Sequence, residues 1–355
     1  MRILLTGSTG FLGSHLLREL VPHHDVLALY RSRLPVAGTP IMGDVTVFDN
    51  LGIHDDVGQL DLVIHSAAII DLSDNNRAKS RQLWKTNVEG SRNVVSFCHT
   101  HRVPRLFYVS TAFTKGRNAY ELSKAKVESE IELLAPVIAG DVPGFAATVF
   151  KPSIIVGNSG THETLGAAGF YDVVRVLSGV HRRAEVLRRK LEGTLHLPSL
   201  DIPTVRLPGD PQHLLNLVPV DWVARVIARQ VCQPAGPPGS VTTLYLTHPS
   251  PPSLAELTAW ISETIYLDFR IQPLGTFTPS LPERLVTRMM RPFLPYLTLD
   301  EPFPCSFIGP DAPPVITKAF IQRSIESDLL GLAGSDVSDA SSSERDATEA
   351  PHGVV

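Results

Sequence analysis

The chain lacks the marks of several protein classes. Its only cysteines, Cys98, Cys232 and Cys305, are odd in number and far apart, which argues against a disulfide framework or a metal knuckle and leaves buried thiols as the expectation. No stretch approaches the roughly 18 to 20 uninterrupted apolar residues of a bilayer span. The opening Met1 to Gly7 leads directly into a glycine motif rather than a cleavable leader, so the expected place is the cytoplasm, with no membrane span. A large charge of one sign is missing as well. The formal net charge of −4 gives no basic face for a nucleic acid, which is therefore not expected as a partner. The histidines show no metal-ligand spacing, so no metal site is expected, and there is no internal repeat.

What is present is a globular composition, 43% hydrophobic and 19% charged, sufficient for a large core. Short runs rich in β-branched residues, Arg2–Thr6, Val26–Tyr30, Leu62–Ser66, Leu106–Ser110 and Ala146–Lys151, alternate with segments of helical periodicity. That alternation predicts an α/β fold, a Rossmann doubly wound parallel sheet with a smaller C-terminal substrate-binding lobe. The expected division assigns residues 1–155 to the sheet core, with 212–247 returning to it, and residues 156–211 and 248–332 to the lobe. Residues 333–355 are poor in large apolar side chains and are expected to be disordered. Ser253 and Glu256 have capping-box spacing and should open a helix with Leu254, Leu257, Ile261 and Ile265 on one face.

Gly7, Gly10 and Gly13 follow the first strand and open the first helix, the order a dinucleotide site requires. Gly7 permits a tight turn, Gly10 lets backbone approach a pyrophosphate, and Gly13 lets helix and strand pack closely. Thr9, Phe11 and Leu12 complete the turn and the helix N-terminus, which favours negative charge. After the second strand stands Arg31, where an NAD enzyme commonly holds an acid against the ribose. A guanidinium there suits a 2′-phosphate, so NADP is the expected cofactor. Asp44 is placed to accept a hydrogen bond from the adenine amino group.

Tyr120 and Lys124 lie at i and i+4, on one face of a helix. A free phenol near pKa 10 is a poor acid–base group at neutral pH, but an adjacent ammonium stabilises its phenolate. Thr111, just past the strand Leu106–Ser110, delivers a hydroxyl to the carboxyl end of the sheet, where such folds bind ligands. Thr111, Tyr120 and Lys124 are the candidate catalytic residues.

Together these motifs resemble the extended short-chain dehydrogenase/reductase superfamily over roughly residues 1–330. Asp61 to Ala68, Thr86 to Gly90, Lys151 to Gly157 and Leu217 to Val223 extend the resemblance. His65 to Asp71, the Lys151 to Gly157 run and Val218 to Asp221 look most like thioester reductases and fatty acyl-CoA reductases of the male-sterility type. By that resemblance Ala67 and Ala68 line the cofactor, Asn87 supports the site, and Pro152 and Ser153 sit near the nicotinamide amide. The resemblance implies NADPH-dependent reduction of a carbonyl or acyl thioester, possibly bound to CoA or a carrier protein, with Tyr120 as proton donor. One departure stands out: only residues 112–119 separate Thr111 from Tyr120, where these relatives carry a longer loop, so part of the usual active-site rim is expected to be missing.

Three other readings remain. A hydroxysteroid or dihydroflavonol type dehydrogenase shares the catalytic residues. Sugar-nucleotide epimerases and dehydratases share the architecture, but Arg31 fits their retained NAD poorly, and Ala112-Phe113 replaces the dehydratase acid pair. A non-catalytic NADP sensor has no need of a tuned phenol. The basic cluster His181-Arg182-Arg183 and Arg188-Arg189-Lys190, placed after a helix around Phe170 to Leu177, reads as a solvated face or as an attractor of CoA phosphates or an acidic carrier.

Overall fold

The structure, a computed structural model, describes residues 1–73, 76–195, 204–273, 275–298 and 302–343. In chain order the main elements are β1 (Arg2–Thr6), α1 (Phe11–Leu20), β2 (Asp25–Tyr30), β3 (Thr39–Met42), β4 (Leu62–His65), α2 (Arg77–Trp84), α3 (Gly90–Thr100), β5 (Arg105–Val109) and α4 (Ala119–Asp141). There follow β6 (Ala146–Pro152), β7 (Ile154–Val156), α5 (Phe170–Leu195), β8 (Val205–Pro208), β9 (Leu217–Pro219), α6 (Val220–Val231) and β10 (Val241–Leu246). The chain ends with α7 (Leu254–Ile265), β11 (Phe269–Gln272), α8 (Leu281–Met289) and α9 (Lys318–Ser343).

Seven parallel strands form the central sheet in the order β10-β6-β5-β4-β1-β2-β3. Because both faces of a parallel sheet are covered by crossover helices, its central strands are apolar on both sides: Ile3, Leu4, Leu5, Leu62, Val63 and Ile64 are all fully buried. One face packs with Val94, Phe97, Val127 and Ile131 of α3 and α4, and the other with Leu16, Leu17, Leu20, Val223 and Ile227 of α1 and α6. This is the Rossmann fold the strand pattern predicts. β3 and β10 were not anticipated, and both lie at the edges of the sheet. The alternation that betrays a strand is blurred there by Pro40 in one and by Thr242 and Thr243 in the other.

A separate apolar cluster joins α5, α7, β8, β11, α8 and α9 through residues such as Tyr171, Leu207, Leu257, Ile261, Ile271 and Ile321. The Ser253–Glu256 capping box is present, and the predicted face of α7 is buried. Two expectations need correction. Of the cysteines only Cys98 is buried, whereas Cys232 is exposed at the end of α6. And α5 does not stop before the basic cluster but runs through it, supported by Arg188 pairs to Glu185 and Glu192 at helical spacing. α9 enters the span 333–355, and residues 344–355 of that span lie outside the described residues. No described helix is long and apolar enough to cross a membrane.

The tightest constraint in the fold is at Gly13. A Cβ added there would meet the Gly7 carbonyl oxygen at 2.0 Å, whereas one added at Gly140 of α4 would meet nothing within 4 Å. Gly13→Ala is therefore expected to cost about 1–3 kcal/mol of stability, and Gly140→Ala to be neutral or stabilising by up to about 1 kcal/mol. Urea unfolding of the two variants checks the contrast; equal effects would contradict it.

Candidate active site

Strand order reverses at β1, whose neighbours β2 and β4 lead away in opposite directions, and ligands of such sheets bind outside the carboxyl ends of the strands at that point. The glycine turn lies there. Gly7 has φ +71°, and a Cβ on it would come 2.6 Å from the Ala67 nitrogen, so the turn and the strand-end of β4 press together through bare backbone. Gly10 is the N-cap of α1 and no side chain caps that helix, so its first N–H groups are left for an external acceptor.

Below this turn a cavity of about 440 Å³ brings together Gly7, Gly10, Phe11, Leu12, Gly13, Ala68, Thr111, Tyr120, Lys124, Pro152 and Ser153. Thr9, Arg31, Asp44, Ala67 and Asn87 do not line it. The last acts at one remove. Asn87 lies in a single π-helical turn, Lys85–Glu89, between α2 and α3, the kind of irregularity that accumulates at functional sites. Its amide accepts from Ile69 N at 2.8 Å and donates to Ile69 O at 2.9 Å and to Ser123 Oγ at 3.1 Å. Ser123 Oγ donates in turn to Tyr120 O at 2.7 Å. Asn87 thus ties the segment after β4 to the start of α4.

Tyr120 is half-buried in the second position of α4, with the Thr111 hydroxyl hydrogen-bonded to its phenol. Burial raises the phenol above its ordinary value and the neighbouring Glu121 adds to this, while the Thr111 bond opposes it. Lys124 is buried between α4 and β5, donates to Val109 O at 2.8 Å and lies 4.9 Å from the Tyr108 ring centroid. Burial pushes its ammonium down to about 8, against the opposing charge of Glu128 one helical turn on. Glu128 accepts from Ser110 Oγ and pairs with Lys151 Nζ at 2.7 Å. The lobe supplies the rest of the cavity wall: Phe170 and Val173 from α5, Leu257 and Ile261 from α7, Ile271 from β11.

Several site features were not legible in the sequence. Arg31 is well exposed and only 3.6 Å from Asp44 Oδ2, while it is Arg33 whose guanidinium reaches back to Thr9 O on the glycine turn. The signal for Arg33 was its place two residues after Arg31 at the end of β2. The short segment between Thr111 and Tyr120 does not leave the rim open, because Phe113 packs edge-on against Tyr296 and Phe303 of the lobe, at 5.4 and 4.9 Å between ring centroids. Nothing local in the sequence announces that contact. Within the basic cluster on α5, Glu185 holds both Arg188 and Arg189.

Residues 3–136 match the family described as NAD dependent epimerase/dehydratase family. Among curated relatives, the chain is 36% identical to a 2-alkyl-3-oxoalkanoate reductase of Stenotrophomonas maltophilia over 119 residues, 31% of this chain and 33% of that protein. It is 32% identical to the human 3 beta-hydroxysteroid dehydrogenase type 7 over 128 residues, 32% of this chain and 34% of that one. The matches thus span about a third of those relatives' lengths. Two solved structures share this fold across nearly the whole chain. The terminal R domain from the myxalamid PKS-NRPS biosynthetic pathway has a TM-score of 0.63 at 19% identity, covering 92% of this chain and 90% of that one. UDP-glucose 4-epimerase of Thermotoga maritima with UDP-glucose has a TM-score of 0.58 at 16% identity, covering 94% and 100%.

His65, at the end of β4 of this segment, is buried in a chain of hydrogen bonds. Its Nδ1 faces Thr6 Oγ1 at 2.6 Å and its Nε2 faces Ser91 Oγ at 2.9 Å. Since Ser91 Oγ already donates to Asn87 O at 2.6 Å, it accepts from His65, which makes the imidazole a neutral Nε2–H tautomer. Burial, with the Lys124 charge second, pushes its pKa down to about 3. A depressed histidine pKa gives stability that is present above the unfolded value near 6.5 and is lost as pH falls toward the folded one. From pH 7 to pH 5 the wild type should lose about 2 kcal/mol more than His65→Gln, read by urea unfolding at each pH. Parallel pH dependences in the two proteins would contradict the neutral assignment.

Proposed function

We propose that the protein is an NADP(H)-dependent oxidoreductase that reduces the carbonyl of a hydrophobic substrate, a ketone or an acyl thioester, with Tyr120 as proton donor. The observation that carries this reading is the cavity itself. Thr111, Tyr120 and Lys124 meet the glycine turn at one end of a space whose far walls are the apolar core of the lobe. Among the described residues Lys124 is the one charged side chain that lines it. A nucleotide sugar carries a diphosphate that needs cations or helix N-termini to bind, so the lining favours an apolar molecule over the sugar nucleotides of the epimerases. The similarity to an oxoalkanoate reductase and a hydroxysteroid dehydrogenase supports that preference.

The residues present fit a dinucleotide. The uncapped N-terminus of α1 offers N–H groups to a pyrophosphate, and Arg33, bonded to Thr9 O, and Arg31 are the cations that would hold a 2′-phosphate. Ser153 is buried at the cavity wall and its hydroxyl has no hydrogen-bond partner among the described residues, as suits a donor kept for the nicotinamide amide. The reduced cofactor supplies the hydride. Thr111 and Tyr120 hold the substrate oxygen between their hydroxyls, and the phenol, protonated at neutral pH, gives its proton to that oxygen. Lys124 then stabilises the phenolate left behind. A ketone ends as an alcohol. A thioester ends as a hemithioacetal whose C–S bond breaks to give an aldehyde and a free thiol.

Assay of NADPH oxidation against apolar ketones and acyl thioesters, with product and thiol analysis, separates the two substrate classes; no turnover with any of them would overturn the reading. Tyr120→Phe is expected to lower kcat/KM by about 100-fold or more with an unchanged melting temperature, and near-normal turnover would remove Tyr120 from the chemistry. Arg33→Ala should raise KM for NADPH by about tenfold and leave that for NADH unaltered, given the usual strength of a charge-assisted hydrogen bond. Equal effects on both cofactors would contradict a 2′-phosphate role.

A further inference from the structure

The proposed chemistry leaves unused a polar cluster at the first turn of α4. Glu121, next to Tyr120, is fully buried, and a buried carboxylate persists only where it is paired and hydrogen-bonded. Arg117 supplies its backbone N–H at 3.0 Å and its guanidinium at 3.1 Å. The remaining partner comes from far along the chain: Tyr296 OH donates to Glu121 Oε1 at 2.8 Å. Tyr296 OH also accepts from Asn118 Nδ2 at 2.8 Å, and Asn118 is the N-cap of α4, its Oδ1 accepting from Glu121 N at 2.9 Å.

Tyr296 belongs to a short 3-10 turn, Leu294–Leu297, of the lobe, and it has two faces toward the site. Its hydroxyl completes the cap of the helix on which Tyr120 is the second residue. Its ring packs on Phe113, two residues after Thr111, and lines the cavity. We propose that Tyr296 is a positioning and specificity-determining residue: its hydroxyl clamps the first turn of α4 and so aligns Tyr120 with Thr111, and its ring sets the width of the cavity beside them. The clamp acts where a helix is least constrained, because the first turn has no backbone partners for its N–H groups. Misplacement of a reacting group by about 1 Å can cost about 100-fold in rate. The direction in which the Tyr296 phenol is shifted, upward through burial and then through Glu121, agrees with a hydroxyl held as a donor to a carboxylate.

The inference rests on the proposed reaction for the meaning of the alignment, but the clamp can be tested without any substrate. In protein carrying tyrosine labelled with ¹³C at Cζ, the Tyr120 signal is assigned by its loss in Tyr120→Phe. Tyr296→Phe, which keeps the ring, is expected to move that signal and its titration midpoint; an unchanged signal and midpoint overturn the clamp whether or not any acceptor is turned over. On the unaltered protein the Tyr296 phenol, faced by Glu121, Asn118 and the Arg117 guanidinium at 6.0 Å from its ring, should resist titration until the chain unfolds. Titration in the ordinary tyrosine range also overturns it.

With an acceptor that the wild type reduces, Tyr296→Phe should lower kcat about tenfold with KM within about twofold, the split expected when alignment rather than binding is lost. A lower melting temperature with unchanged kcat at a permissive temperature would leave Tyr296 a merely structural residue and contradict the proposal. Tyr296→Ala should shift the ratio of kcat/KM toward the bulkier of two acceptors, and a constant ratio would refute the specificity role. Absence of wild-type turnover would reject the reaction while the spectroscopic result still decides the clamp.

Discussion

The site depends on one constraint, the close approach of three backbone segments at the point where strand order reverses beside β1. Gly7, Gly13 and the Ser66–Ala67 peptide are packed so tightly that a side chain at either glycine would collide with main chain. This contact fixes the start of α1 relative to the ends of β1 and β4, and through His65, Ser91 and Asn87 it reaches the start of α4. Remove it and the glycine turn loses its fixed relation to the Tyr120 phenol. The parallel sheet supplies the rigidity that keeps these ends in place.

A second relation joins the lobe to the sheet core. The lobe has its own apolar cluster, yet it does more than shape a wall. The segment between Thr111 and Tyr120 is short, and aromatic side chains of the lobe cover it through Phe113. The same lobe turn delivers Tyr296 to the cap of α4. The cavity and the start of α4 are thereby built from one set of contacts.

Much of the core was legible because its information is local. Strand runs such as Arg2–Thr6 and Leu106–Val109 are apolar on both faces and bounded by turn residues, and the glycine turn and the Tyr120/Lys124 spacing are fixed by geometry within a few residues. What escaped is what depends on distant segments or on edges. β3 and β10 lie at the sheet's margins and carry mixed patterns. Asn87 could be singled out, but not the π turn that aims it. Arg31 could be singled out, but not the contact of Arg33 with Thr9 O, because a side chain's direction after a strand is set by tertiary packing. Tyr296 has no local signal at all: 175 residues separate it from Glu121.

The most direct test of the account follows the hydrogen itself. NADPH carrying deuterium on the transferred position of the nicotinamide, incubated with the protein and an apolar ketone or acyl thioester that it consumes, is predicted to leave deuterium on the former carbonyl carbon of the product. Labelled product should form about 100-fold more slowly, or more slowly still, when Tyr120→Phe replaces the wild type, any residual product carrying deuterium at the same carbon. Product formed without deuterium at that carbon would contradict hydride transfer at this site and with it the central claim.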